Sequence, residues 1–140
     1  MRHVQYIHAR PHASDWMLAK HDHALGDVFH SVSCRQLINA EVNVWEIQLH
    51  SGQKLPAHFF PSQTVRYFTA GSVSIGGERE CAEGDVRWAD GNVASGSWKV
   101  ASLGARFYLI GMDGTPQAAD GGREKNRALA VLQSLRAGMG

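Results

Sequence analysis

The chain reads as an all-β protein, an antiparallel sandwich or closed barrel, followed by a short C-terminal helix. Short apolar strands bounded by glycine-rich turns recur between residues 42 and 111, with no helical segment between them. Beyond Gly114-Thr115-Pro116 the pattern changes to a helical one. At 140 residues the chain is the size of one domain and long enough to bury a core without a disulfide or metal.

Residues 1–41 hold six of the eight histidines and only weak periodicity. Val4 to Ile7 and Val28-Phe29 suggest edge strands on an N-terminal arm. Residues 42–114 form the barrel core. In 42–49, Trp45, Ile47 and Leu49 share one face, and Glu46 and Gln48 the other. Ser51-Gly52-Gln53 turns the chain, and Val65 to Thr69 is a strand that Gly71 closes. Val73-Ser74-Ile75, Gly76-Gly77 and Glu78 to Cys81 form a hairpin, the paired glycines supplying the positive φ angles of a primed turn. After the turn at Glu83-Gly84-Asp85 come strands at Val86-Arg87-Trp88, Trp98-Lys99-Val100 and Ala105 to Ile110. In the C-terminal segment, 115–140, a helix over 123–136 groups Ala128, Leu129, Val131, Leu132 and Leu135 on one side. That helix either caps the barrel floor or joins two copies, and a homodimer is compatible with it. All three segments belong to one domain.

Bulk properties exclude some partners. Fourteen Lys and Arg stand against thirteen Asp and Glu, a net charge of +1 with no run of either sign. Neither nucleic acid nor an anionic membrane finds an electrostatic footprint here. No stretch approaches the roughly 18 apolar residues of a spanning helix, and none has the form of a signal peptide, so a cytoplasmic location is the default expectation. Cys34 and Cys81 lack any CxxC or CxxH context and read as buried thiols rather than a redox pair.

The central stretch resembles the cupin superfamily. The first cupin motif runs from a glycine to His-x-His, then a Glu, then a closing glycine. Gly52, His58, Phe60, Thr64 and Gly71 fall at those positions, so one of three ligands survives. The second motif opens on a glycine and later presents Pro, Gly, His and Asn. Gly84 fits the opening, while Asp90, Asn92, Ser95 and Lys99 occupy the later positions. The resemblance covers about half of the chain and implies a cupin-like double-stranded β-helix, or jelly roll. It leaves activity open, because one fold hosts many functions.

A cupin metal is typically held by three imidazoles and a carboxylate, a set suited to Fe, Mn, Ni or Zn. Phe60 and Thr64 remove two of those ligands, and Ser95 a third. A lone neutral imidazole does not compete with water for a divalent ion, so no cofactor is expected. A substitute set would combine His58 with His50 and Glu46, provided their face pointed inward. Alternation instead favours a solvated outer face for Glu46, Gln48 and His50. His21-Asp22-His23 reads as a solvated turn or lid before Gly26.

What fills the lumen follows from the same alternation. The family's Glu position faces inward, which places Thr64, Arg66 and Phe68 inside. An inward guanidinium needs an anion, either a ligand carboxylate or phosphate or an internal carboxylate partner. His58 retains acid–base capacity without a metal. Phe60, Phe68, Trp88, Ser95 and Trp98 would complete a pocket for a small organic ligand. The leading expectation is therefore a metal-free small-molecule-binding cupin for an anionic or aromatic metabolite. The alternatives are a metal-dependent dioxygenase using His58 with substitute ligands, a metal-free isomerase or epimerase using His58 as acid and base, and a structural dimer without a ligand.

Overall fold

The computed structural model describes residue 4 and residues 6–10, 14–20, 23–111 and 114–119. Its strands are β1 (Met17–Leu18), β2 (Ser33–Asn39), β3 (Asn43–Leu49), β4 (Lys54–Leu55) and β5 (His58–Phe59). They continue as β6 (Thr64–Ile75), β7 (Cys81–Ala82), β8 (Val86–Ala89), β9 (Trp98–Gly111) and β10 (Gln117–Ala118). One sheet runs β1-β2-β3-β9-β6-β7, with β4 added to β9 and β8 to β6, and β5 pairs β10 in a separate ribbon. Every pairing is antiparallel.

Two long strands hold this arrangement together, and both depart from the sequence reading. Gly71 does not close a strand: β6 runs on through it, and the two pieces expected at 98–100 and 105–110 are one strand, β9. Gly71 has φ +68°, and the β6–β9 register shifts beside it. A Cβ at Gly71 would overlap the carbonyl of Gly104. The glycine thus bends a continuous ladder where a side chain would break it.

The N-terminal residues are also more integrated than a loose arm. β2 pairs β3 along its length. Val28 and Phe29, expected in an edge strand, form a 3₁₀ turn with both side chains buried. Val4, Tyr6 and Ile7 lie outside any strand and are exposed. The helix expected over 123–136 lies outside the described residues.

Alternation fills the interior. Trp45, Ile47 and Leu49 of β3, Phe68, Val73 and Ile75 of β6, and Phe107 and Leu109 of β9 are all buried. Cross-strand register stacks them in rows, Ile47–Phe107–Phe68 in one and Trp45–Leu109–Arg66–Arg87 in the next. Phe68, Trp98 and Phe107 pack with ring centroids 5.1–6.1 Å apart, within the range of favourable aromatic pairs.

The face carrying Glu46 is the outer one, as alternation predicts, and it is solvated at His50 but covered at Glu46. Glu46 is buried and receives the Arg35 guanidinium at 2.6 and 2.8 Å. Asp15 holds the other end of Arg35 at 3.1 Å, and Trp16 lies under the guanidinium, 4.7 Å from its ring centroid. Arg106, bonded to Gln48 at 2.8 Å, stands 5.5 Å from the same ring. The N-terminal Asp15-Trp16 therefore covers a polar network that the sequence pattern assigned to water.

Candidate functional site

The motif residues converge in the lumen, though not as metal ligands. β5 places His58, and Phe60 follows it on the bend into β6. The inward positions of β6 are Thr64, Arg66 and Phe68, all buried. His58 Nδ1 faces the Pro56 carbonyl at 2.8 Å, and a carbonyl only accepts, so Nδ1 carries the proton. Nε2 is then a bare lone pair, and it takes a hydrogen bond from Arg66 Nη2 at 2.9 Å. Burial above all, then the Arg66 and Arg87 charges, push the imidazole down to about 3. His58 is a fixed neutral acceptor at neutral pH, which leaves it no proton to exchange through Nε2.

Arg66 is 2 % exposed and meets no carboxylate oxygen within hydrogen-bonding distance among the described residues. Its guanidinium carbon lies 4.6 Å from the Trp98 ring centroid and 5.4 Å from that of Phe60. Its row neighbour Arg87 is clasped by Glu78 at 2.7 and 2.8 Å. Burial, and then the Arg87 charge, lower Arg66 to about 9, so it stays cationic at neutral pH. Nε and Nη1 are buried with no acceptor among the described residues.

The residues do not fit a divalent ion. The lone pair that would bind one is taken by a guanidinium, and Phe60 and Thr64 offer no imidazole or carboxylate. Ser95 is committed, donating to the His58 carbonyl and accepting from the Trp98 indole at 3.1 Å. The substitute set is dispersed: Glu46 belongs to the outer network, and His50 is exposed, bonded to Ser33 at 3.2 Å. Among the described residues no three His, Cys, Asp or Glu side chains converge. His23 does lie in a turn before Gly26, its carbonyl accepting from the Gly26 N–H at 2.8 Å, but its side chain is half-buried rather than solvated. Its ring packs on Trp45 and lies 3.9 Å from the Cys34 sulfur, while His21 and Asp22 lie outside the described residues. Cys34 and Cys81 are free and buried, and burial pushes the Cys34 thiol up to about 11.

A cavity of about 240 Å³ opens where the ends of β2, β3, β6 and β9 meet, at Asn39, Asn43, Thr64 and Gly111. Trp45, Leu109, Leu25 and Phe60 form its apolar walls, and Thr64 with the carboxamides of Gln36, Asn39 and Asn43 its polar ones. Arg66 does not line the cavity: its register partner Leu109 does, and so does Phe60, whose ring centroid lies 5.4 Å from the guanidinium carbon. Trp88 does not reach it: paired to Val65 on the outer surface, it is 57 % exposed. Phe68 and Trp98 are core, not cavity lining. Sequence reasoning missed the carboxamides because isolated Asn and Gln at a strand end carry no periodic signal. Trp45 was legible as an inward residue, but not as a cavity wall.

Neither protein-family models nor curated proteins match the sequence. Solved structures match the fold. An acetylacetone dioxygenase from Acinetobacter johnsonii superposes with a TM-score of 0.61 at 10% identity, covering 80% of this chain and 77% of its own. A DMSP lyase from Ruegeria pomeroyi gives 0.59 at 16%, covering 74% of this chain and 60% of its own. An RmlC-like cupin from Shewanella frigidimarina gives 0.51 at 17%, covering 59% and 76%. This chain has the cupin fold. Within that fold the motif positions read from the sequence hold His58, an aromatic ring and two hydroxyls, and Arg66 stands two residues past Thr64.

Proposed function

We propose that the protein is a small-molecule-binding cupin whose lumen works without a metal, with the Arg66 guanidinium as the resident cation that receives an anionic organic ligand. One observation carries this reading: a buried arginine, cationic at neutral pH, has two nitrogens with no acceptor among the described residues, and the Phe60 ring next to it lines a cavity. A buried donor left unpaired costs about 1–3 kcal/mol, and a charge-assisted hydrogen bond returns about 1.5–3 kcal/mol. An oxyanion bound there recovers more than the roughly 0.5–2 kcal/mol of cation–π attraction it would disturb. Catalysis by His58 has less support, since its lone pair and its proton are both engaged.

Calorimetric titration with a panel of small carboxylates and phosphates tests the reading. Binding with 1:1 stoichiometry that disappears in Arg66→Met is the expected result. Equal binding by wild type and Arg66→Met would remove the guanidinium from the site.

A further inference from the structure

Phe60 stands between the cavity and the guanidinium, lining the one and lying 5.4 Å from the other. We propose that Phe60 is a movable partition and that the occupant is a planar monocarboxylate, its carboxylate reaching Arg66 and its body filling the cavity. This rests on the ligand-binding role of Arg66 proposed above.

The class of ligand follows from charge and volume. No charged side chain lines the cavity among the described residues, and Arg87, the next cation, is held by Glu78. A second anionic group would be buried with no partner. About 240 Å³ is below the usual range for drug-sized ligands, so the occupant is small. Trp45 offers a flat apolar wall, and the Gln36, Asn39 and Asn43 carboxamides lie where polar substituents on the body would point.

The partition moves by side-chain rotation, because its backbone is pinned. The Asn92 N–H donates to the Phe60 carbonyl at 2.7 Å, and the following Pro61 carbonyl leaves no room for a Cβ on Gly91. The ring packs in the core, its centroid 6.4 Å from Phe29 and 6.2 Å from His58, and it also borders the cavity, which is the space beside it. When the ring swings aside, the bound body takes its place next to the guanidinium.

Stopped-flow tryptophan fluorescence with benzoate, formate and acetate tests this, with circular dichroism to verify folding of each variant. In wild type the observed rate with benzoate levels off at high concentration, as expected when ring rotation precedes binding. In Phe60→Ala it rises linearly and association is roughly ten-fold faster, and Phe60→Leu falls between. Wild-type rates for benzoate in Phe60→Ala would overturn the partition alone, with Arg66→Met still abolishing binding. Undiminished binding in Arg66→Met, or no binding of any carboxylate by wild type or Phe60→Ala, would overturn the carboxylate site and the partition together.

Discussion

Arg66 is held in its charged form at a cost. Burial lowers the guanidinium from its ordinary range to about 9, which corresponds to about 5 kcal/mol of unfavourable burial. The His58 hydrogen bond and the Trp98 and Phe60 rings return about half of that. Arg66→Met should therefore raise the unfolding free energy by about 2 kcal/mol in urea titrations, and a loss of stability would show that the pair is structural. His58 has its own signature. Its folded value, about 3, lies below the ordinary 6.5, so the unfolded chain binds more protons throughout that interval. Its contribution is complete above pH 6.5 and falls on acidification toward about 3. At about pH 5 the loss is about 2 kcal/mol. His58→Gln should flatten the stability profile over that window, and an unchanged slope would assign the acid sensitivity elsewhere. At this scale the inward direction of Arg66 was legible from strand alternation, and His58 from its spacing after Gly52. Their mutual hydrogen bond was not, since it depends on the Pro56 carbonyl fixing the imidazole tautomer.

Among the elements, β2, β3 and β9 show where period-two patterning stops being informative. Alternation correctly separates Trp45 from Glu46, but whether the second face meets water depends on what packs over it. Asp15 and Trp16, which precede a strand of only two residues, supply that cover and leave no periodic trace. Truncating Glu46 to Ala would strand Arg35 with only an exposed aspartate, a loss of about 3 kcal/mol in chemical denaturation. The double variant Arg35→Met with Glu46→Leu should recover most of it, and failure to recover would place the cost in packing rather than charge. Gly71 illustrates the opposite error. Glycine after an apolar run reads as a stop, yet at φ +68° it is the bulge that lets β6 continue into the second half of the barrel.

For the whole molecule, the fold was legible because jelly-roll strands at regular spacing and the two glycine-framed motifs point the same way, even with Phe60, Thr64 and Ser95 standing inside those motifs. The cavity was not legible, because it forms only when strand ends far apart in sequence, at Asn39, Asn43, Thr64 and Gly111, come together. The lumen reading makes two demands on global stability. A metal that binds only the folded state would stabilise it in proportion to the logarithm of its saturation. With Arg66 occupying the imidazole lone pair, prolonged dialysis against EDTA should leave the melting temperature within about 1 °C, measured by calorimetry. A carboxylate at about 100 times its Kd should instead stabilise the fold by about 2.7 kcal/mol, which for a chain of this size raises the melting temperature by about 8 °C. That increase should vanish in Arg66→Met, whose ligand-free melting temperature is already the higher of the two. A variant more stable without ligand and indifferent to it would tie the buried charge to binding rather than to folding.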